Sequence, residues 1–423
     1  MKTAYYNQNM QLVEKHQIGR GHKAWTEIDA LCFRSKNLYN TALYHVRQHY
    51  FTTEHYLSYP KLDRLLQDAH QHDYYSLNTQ ISQNVLRWLD KNYVSYFEAL
   101  KVWAVSPELF EHKPGPPRYK HKTKGRNLVV YSRQRLHTRP LRNGIITPHG
   151  TSLRITTKVD PATINQVRII PKCGHYVVEI VYTVPDVAPL ADNGRYAAID
   201  LGVNNLAAVV SSVHDPVLIK GTPLKSINHY YNRRKSELQS ALPPDQKTSH
   251  RLQRLERRRT NKISDHLHKA THALTNHLAS LGVTTVIIGK NPNWKQEVNM
   301  GKKNNQSFVQ IPFCRFIDQL TYKCALRGIT VITQEESYTS RCSYLDDEPL
   351  EHHEHYLGRR VKRGLFRSAS GITLNADVNG AANILRKHAI SNGLKPKGIQ
   401  GVVVSPLSLK SAARASKPMS QAA

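Results

Sequence analysis

The chain has 423 residues, 39% of them hydrophobic, so it is long enough for two or three domains with real cores. Its 60 Lys and Arg residues against 31 Asp and Glu give a formal net charge of +29. This charge favours nucleic acid as partner, with a ribosome-associated protein or a membrane-surface binder as the alternatives. No window approaches the ~20 apolar residues of a membrane span, no secretory signal is apparent, and five scattered cysteines form no CxxC pair. The composition therefore predicts a reduced, cytoplasmic protein without a disulfide framework.

The N-terminal half is predicted to be a β-barrel interrupted by helices. Residues 1–20 have the pattern of a strand and turn, and apolar residues at helical spacing predict helices over about 26–50 and 80–104. A Pro/Gly break and a basic run at 113–126 lead into a period-two pattern over 126–190, with a tight turn at 172–174. We therefore expect 1–20 and 111–190 to form a wedge-like barrel domain around a helical recognition region, 21–110.

From residue 195 onward the pattern changes to alternating strands and helices. Three short strands, a helical region, a strand at 284–289, a helix, a strand at 329–336 and a helix at 376–388 follow one another. This is the element order of an RNase H-like α/β domain, which we assign to 195–390. Residues 391–423 carry basic but no acidic residues, and we expect a partly disordered basic tail.

Two acidic residues stand where such a domain would hold metal ions. Asp200 is a single acid in an otherwise apolar strand, and a buried charge there is costly unless it binds a cation or caps a turn. Asp377 stands at the start of the last helix, where an ordinary helix-start role is the alternative. In RNase H-like folds, acids of the first strand, the fourth strand and the last helix converge on two divalent ions. We therefore predict both as ligands of a hard cation such as Mg²⁺.

Several stretches resemble the TnpB family, RNA-guided nucleases that insertion sequences of bacteria and archaea encode and that are often labelled transposases. The stretches are AIDLGVNNLAAVV at 198–210, YTSRCS at 338–343, NADVNGAANILRK at 375–387 and, less specifically, GPPRYKHK at 115–122. The resemblance covers nearly the whole chain. It implies a RuvC-type core, a guide RNA and target double-stranded DNA as partners, Mg²⁺ or Mn²⁺ as cofactor, and metal-dependent cleavage of DNA.

One departure from the family concerns the third carboxylate. Members usually carry Glu at the end of the fourth strand, where this chain has Gly289-Lys290. Adjacent strands lie ~4.8 Å apart, so an acid at the end of the fifth strand could reach the same metals. Some members carry such a Glu before x-x-Thr-Ser, which here is Glu336, our predicted ligand. Glu335 is the alternative ligand, and Glu297 is a third candidate. The remaining interpretation is that Glu335 and Glu336 are solvated acids at the end of a strand and bind no metal.

A second departure concerns zinc. The family's insertion before the last motif is usually a zinc ribbon with two cysteine pairs, but here only Cys342 remains and 343–372 contains no cysteine. His352, His353 and His355 do not complete the four N/S ligands of a structural site. We therefore assign 337–372 as a degenerate ribbon or lid, most of it a polar loop, and expect no zinc.

Three basic clusters are predicted to contact nucleic-acid backbone: the strap at 115–122, an arginine-rich helix at 251–259, and GRRVKRGLFRS at 358–368. The solvated-face interpretation is the alternative for the helix. An HLH sequence at 266–268 superficially matches a relaxase motif, but on a helix its histidines diverge by ~200° and the motif is excluded. The candidate contacts are Arg118, Lys120, Lys122, Arg251, Arg254, Arg258, Arg359, Arg360, Lys362 and Arg363.

Two other functions remain open from the sequence. One is a nuclease-inactive, RNA-guided DNA-binding repressor, because such a protein would also lack the usual acid at Gly289-Lys290. A transposase that joins DNA strands itself is the other, although no nucleophilic Tyr motif is apparent. These patterns carry no information on the oligomeric state.

Overall fold

The structure is a computed structural model that describes residues 9–291, 309–362, 364–393 and 407–408. Two predicted functional residues, Glu297 and Arg363, lie outside the described residues. The chain divides into two compact units, Met1–Pro185 and Asp186–Ala423. Within the described ranges, no helix combines the length and apolar character needed to cross a lipid bilayer.

The first unit contains an antiparallel four-stranded sheet. Its strands are β1 (Asn9–Ile18), β2 (Val129–Ser132), β5 (Ile164–Lys172) and β6 (His175–Pro185), in the order β1-β6-β5-β2. The short strands β3 (Ile145–Ile146) and β4 (Ile155–Thr156) pair separately. The predicted tight turn joins β5 to β6, with Gly174 at φ 73°, a left-handed conformation that favours glycine.

The described part of this unit also contains helices, of which the two longest pack against the sheet. The helices are α1 (Trp25–Thr53), α2 (Tyr59–Asp68), α3 (His72–Tyr75), α4 (Thr79–Val105) and α5 (Thr138–Arg142). The long helices α1 and α4 bury residues at helical spacing, such as Ile28, Leu31, Leu38, Val85 and Leu89, which is the pattern that predicts them from sequence. The apolar side chains of strands and helices share one core.

The second unit is built on a six-stranded sheet. Five strands of this sheet come first in the chain: β7 (Tyr196–Asp200), β8 (Asn205–Ser211), β9 (Val217–Lys220), β10 (Thr285–Gly289) and β11 (Thr330–Gln334). The next three strands form a small separate sheet: β12 (Arg359–Lys362), β13 (Leu365–Arg367) and β14 (Thr373–Asn375). The sixth strand of the large sheet is β15 (Leu407–Ser408). The large sheet has the order β11-β10-β7-β8-β9-β15, with β7, β8 and β9 antiparallel and β7, β10 and β11 parallel.

Two residues of the predicted C-terminal tail are part of the large sheet. Residues 407 and 408 form β15, which pairs in parallel with β9, and the expected partly disordered basic tail stays a prediction. Without β15, the edge strand β9 would present unpaired N–H and C=O groups, which a short extended segment can satisfy without side-chain patterning. Residues 394–406 and 409–423 lie outside the described residues.

Helices cover both faces of the large sheet: α6 (Thr222–Ser240), α7 (His250–Ser280), α8 (Phe313–Ala325) and α9 (Ala376–Ser391). The helices α7 and α8 enclose one core with side chains such as Ile199, Val209 and Val286. On the opposite face, α9 packs Ala381 and Ile384 against alternate residues of the same strands. This packing brings the first turns of α9 next to the end of β7.

The insertion before α9 is folded, although the sequence predicted a largely polar loop. Strands β12, β13 and β14 form an antiparallel three-stranded sheet. Phe366 and Leu374 are buried beneath it with Ala376, the first residue of α9. Strands of three or four residues with at most one buried side chain each leave no detectable periodicity, so the pattern alone did not reveal them.

Candidate metal centre and nucleic-acid surfaces

Asp200 is the last residue of β7 and lies against α9. Its carboxylate faces Gly380 of that helix, because a Cβ atom added at Gly380 would lie 2.6 Å from Asp200 Oδ2. A glycine leaves room for such a close approach of helix backbone and carboxylate. Asp200 is therefore held between the strand and the helix.

Asp377 lies in the first turn of α9. The N-cap residue Asn375 accepts hydrogen bonds from the backbone N–H groups of Asp377 at 2.9 Å and Val378 at 3.3 Å, which stabilises this helix start. Asp377 Oδ2 accepts a hydrogen bond from Asn205 Nδ2 at 2.8 Å, and Oδ1 lies 3.7 Å from Arg360 Nη2. Strands β8 and β12 thus each bring one polar side chain to this carboxylate.

Glu336 extends toward Gly289, the position where the usual acid is missing. Gly289 ends β10 and is in register with Gln334 of β11. A Cβ atom added at Gly289 would lie 2.6 Å from Glu336 Oε2 and would also clash with Ile384 Cδ1. The Glu336 backbone N–H donates to Asn291 Oδ1 at 3.0 Å, which ties Glu336 to the end of β10. The Glu336 carboxylate therefore occupies space that any side chain at 289 would need.

Glu335 has different neighbours. Its Oε2 accepts a hydrogen bond from Lys387 Nζ at 2.5 Å, and its Oε1 accepts the Ser337 backbone N–H at 2.7 Å. Burial alone would raise the pKa of Glu335, but the hydrogen bonds from Lys387 and Ser337 lower it below its ordinary value. Glu335 is thus already paired with a cation, whereas Glu336 points to Gly289.

The three predicted carboxylates act on one another electrostatically. Burial raises the pKa of Asp200 well above its ordinary value, the charges of Asp377 and Glu336 raise it further, and the Arg360 guanidinium lowers it. Burial, together with the neighbouring Glu335 carboxylate, raises the pKa of Glu336 to about 6. Crowded carboxylates of this kind are stabilised by a cation.

The oxygens of these carboxylates have the chemistry that Mg²⁺ or Mn²⁺ prefers. In the ranges the structure describes, no three His, Cys, Asp or Glu side chains stand in a ready-made metal-ligand arrangement. Instead, one Asp377 oxygen accepts a hydrogen bond from Asn205, and the other oxygen lies near the Arg360 guanidinium. The chemistry of the carboxylate donors suits a divalent ion, although Asp377 is engaged by Asn205 and Arg360 in this structure.

The basic strap at 115–122 is held against α1 by side chains of that helix. Asn40 bonds both the backbone N–H and the carbonyl of Lys120, each at 2.9 Å, and the buried Lys36 donates to the Lys122 carbonyl at 2.6 Å. Arg118 and Lys122 are exposed. Lys120 is partly buried over the Tyr39 ring, so it serves packing as well as charge.

The arginines of the arginine-rich helix α7 differ in their surroundings. Arg251, Arg254 and Arg258 share one face of α7 and are exposed. Arg259 instead donates to Asn228 Oδ1 at 2.8 Å and stacks over the Tyr231 ring. The three predicted residues are therefore the ones available to a polyanion.

The folded insertion presents Arg359, Arg360 and Lys362 on β12, all exposed. Beside them lies a cavity of 330 Å³. Its lining consists of Ser340, Arg341, Tyr356, Gly358, Arg359, Arg360 and Phe366. Arginine guanidinium groups beside such a cavity are suited to a phosphate group.

Several polar residues around these sites were not predicted from the sequence. Asn205 and Arg341 carry no local signal. Asn379 and Asn383, both fully buried, were also missed, although they stand at i+4 and i+8 from Asn375 and so share one side of α9. That spacing was the available signal.

Comparisons with known protein families match the second unit and the end of the first. A family model described as "Probable transposase" (OrfB_IS605) matches residues 179–295, and one described as "Cas12f1-like, TNB domain" matches residues 313–384. The first range contains Asp200, and the second contains Glu336 and Asp377. Glu297, the third candidate for the missing acid, falls between the two matched ranges.

Two curated relatives have similar sequences. "TnpB-like protein ORF457" of Acidianus two-tailed virus is 30% identical over 203 residues, which are 46% of this chain and 42% of the relative. "Putative RNA-guided DNA endonuclease InsQ" of Escherichia coli (strain K12) is 26% identical over 262 residues, 57% of this chain and 60% of the relative. The chain thus spans less than two thirds of the length of these relatives.

A solved structure shows the same fold at low sequence identity. The protein of "Cryo-EM structure of the Cas12f1-sgRNA-target DNA complex" superposes with a TM-score of 0.55 at 12% identity, covering 85% of this chain and 83% of that one. The mixed α/β architecture is therefore that of a Cas12-like protein. Over parts of its length, the chain is thus similar to a probable-transposase family, to a TnpB-like protein and to a putative RNA-guided DNA endonuclease.

Proposed function

We propose that this chain is an RNA-guided DNA endonuclease associated with an insertion sequence. Its second unit would be an RNase H-like, RuvC-type core over 195–390 that hydrolyses DNA phosphodiesters. The observation that carries the proposal is the Glu336 carboxylate, which fills the space beside Gly289 and acts electrostatically on Asp200 together with Asp377. The names of the relatives, a TnpB-like protein and an RNA-guided endonuclease, support the same activity.

The first unit would bind the guide RNA and the target DNA. We assign 1–20 and 111–190 to a wedge-like β-barrel and 21–110 to a helical recognition region, in agreement with the antiparallel sheet and the long helices α1 and α4. Base pairing would read the target sequence, while the protein would contact backbone and a short flanking motif. The charge of +29 supports such extended phosphate contact.

In the second unit, Asp200, Glu336 and Asp377 would hold Mg²⁺ or Mn²⁺. The bound metal would supply Lewis acidity for attack of water on the phosphodiester. Asn205 orients the Asp377 carboxylate through its 2.8 Å hydrogen bond. Arg360, whose Nη2 lies 3.7 Å from Asp377 Oδ1, would contact a DNA phosphate at the same centre.

A programmed cleavage assay tests this function. The protein would be purified with RNA transcribed from the DNA that overlaps the 3′ end of its gene, and the guide segment would be changed to match a plasmid library. We expect cleavage that follows the guide, loss of cleavage in Glu336→Gln, and retention in the matched control Glu335→Gln. If the unaltered protein binds DNA under the direction of the guide but does not cleave it, the repressor alternative is established. If it joins DNA ends without RNA, the transposase alternative is established.

The exposed face of α7 gives a separate prediction. Changing Arg251, Arg254 and Arg258 together to Gln should weaken binding of the guide RNA, because fewer counterions are released when fewer phosphates are neutralised. The slope of log affinity against log salt should become shallower by about 0.7–0.9 for each phosphate that is no longer neutralised. Filter binding between low and physiological salt measures it. Lys269→Gln, on the same helix but paired with Asp265, serves as control and should leave the slope unchanged.

A further inference from the structure

The insertion before α9 does not have the donors of a zinc ribbon. Its single cysteine, Cys342, is buried with Sγ 3.7 Å from the Glu351 carbonyl. His353 Nε2 is engaged with the Pro349 carbonyl at 2.8 Å. No three potential metal-ligating side chains cluster in the described part of the insertion. With one cysteine where the family usually has two pairs, the segment lacks the four N/S donors of a structural zinc site, so that zinc ion does not fit these residues.

A buried carboxylate joins two parts of this segment. Glu348 is 2% exposed. Its Oε2 accepts the Ser343 backbone N–H at 2.6 Å, and its Oε1 accepts the Leu357 backbone N–H at 2.7 Å. A buried charge is costly unless its oxygens are bonded, and here both are. One side chain thus links the beginning of the insertion to the residues just before β12.

The same loop is fastened to α9. Asn379 Nδ2 and Asn383 Nδ2 donate to the Cys342 carbonyl at 2.9 and 2.7 Å. Arg386 Nη2 donates to the Glu348 carbonyl at 2.5 Å. All three side chains are buried, so the loop has a defined position relative to the helix that carries Asp377.

The connection continues to the candidate metal centre. Leu357 lies two residues before β12, and Arg360 of β12 reaches to 3.7 Å from Asp377 Oδ1. We infer that Glu348 is a positioning residue that fastens this loop without a metal ion and, through Leu357, holds Arg360 beside Asp377. The cross-link itself stands on the hydrogen bonds; its effect on cleavage rests on the proposed function.

Hydrogen exchange of the intact protein tests the cross-link without any need for cleavage. Peptides over 340–360 should remain protected in the unaltered protein after treatment with EDTA, and added Zn²⁺ should change nothing. In Glu348→Gln, one oxygen acceptor becomes an N–H donor, so exchange there should be roughly 10- to 100-fold faster. The matched change at the exposed Glu354, Glu354→Gln, should behave like the unaltered protein.

Loss of protection on chelation with recovery on adding Zn²⁺ would overturn the inference, as would unchanged exchange in Glu348→Gln. The chelation experiment uses the unaltered protein, so it decides even where the variant fails to fold.

A double-mutant cycle, measured by the rate of DNA cleavage, then tests whether Glu348 positions Arg360. Glu348→Gln should lower the cleavage rate by roughly 10- to 100-fold, and combining it with Arg360→Gln should lower it no further than Arg360→Gln alone. Rate reductions that multiply in the double variant would show that Glu348 does not act through Arg360. An unaltered protein that never cuts refutes the proposed function and leaves the exchange result standing.

Discussion

Replacing Asp200 with Asn should abolish cleavage and, at the same time, raise the thermal stability of the metal-free protein. Asp200 lies against α9 with its pKa raised by burial and by the charges of Asp377 and Glu336, so its ionised form is under electrostatic repulsion. An isosteric amide removes that charge while keeping the shape. Loss of a metal ligand should lower the cleavage rate by roughly 100- to 1,000-fold or more. Guide-RNA binding should be unchanged.

The two measurements are a cleavage time course and a melting curve in the presence of EDTA. Asp215→Asn, an exposed aspartate of the same unit, is the matched control and should change neither. An ordinary structural role for Asp200, such as capping a turn, predicts little change in stability, because Asn and Asp cap about equally well. Full cleavage by Asp200→Asn would refute the metal-ligand assignment.

Adding a single methyl group at Gly289 should also prevent cleavage. The new Cβ would lie 2.6 Å from Glu336 Oε2 and would clash with Ile384 Cδ1, so both must move. Displacing Glu336 removes a proposed ligand, and crowding Ile384 costs about 1–3 kcal/mol of stability. The two effects are separable, because Ile384→Val removes the Cδ1 atom and leaves the crowding of Glu336 unrelieved.

We therefore expect Gly289→Ala to reduce both stability and cleavage, and Gly289→Ala with Ile384→Val to regain stability but not cleavage. Chemical denaturation and the guided cleavage assay provide the two readouts. Gly21→Ala is the control, since an added Cβ there meets no atom within 4 Å. If the double variant cleaves at the normal rate, the position of Glu336 beside Gly289 is not needed for activity.

The two residues in these predictions differ in how visible they are in the sequence. Asp200 is recognisable from its own neighbours, since an acid in an apolar strand is a local anomaly. Gly289 is recognisable only through the lack of an acid where the family usually has one. Its role as the space for Glu336 depends on the parallel register of β10 and β11 and on the packing of Ile384 from α9.

The insertion shows the same division. The lack of cysteine pairs in 343–372 was sufficient to argue against zinc. The role of Glu348 in fastening this loop was not predictable, because Glu348 resembles its exposed neighbours in a run of acidic and histidine residues. Its burial comes from the two backbone N–H groups whose hydrogen bonds it accepts and from Arg386 of α9. Short strands with few buried side chains likewise gave no periodic signal.

By itself, the sequence determined the charge that favours a polyanion, the order of the long elements, and two carboxylates of the candidate centre, because each is a property of residues adjacent in the chain. Only the tertiary structure shows the different surroundings of the two glutamates, Glu335 and Glu336. Lys387 pairs with the first, and the space beside Gly289 receives the second. These contacts join residues far apart in the chain, so they arise from strand register and helix packing rather than from any local pattern.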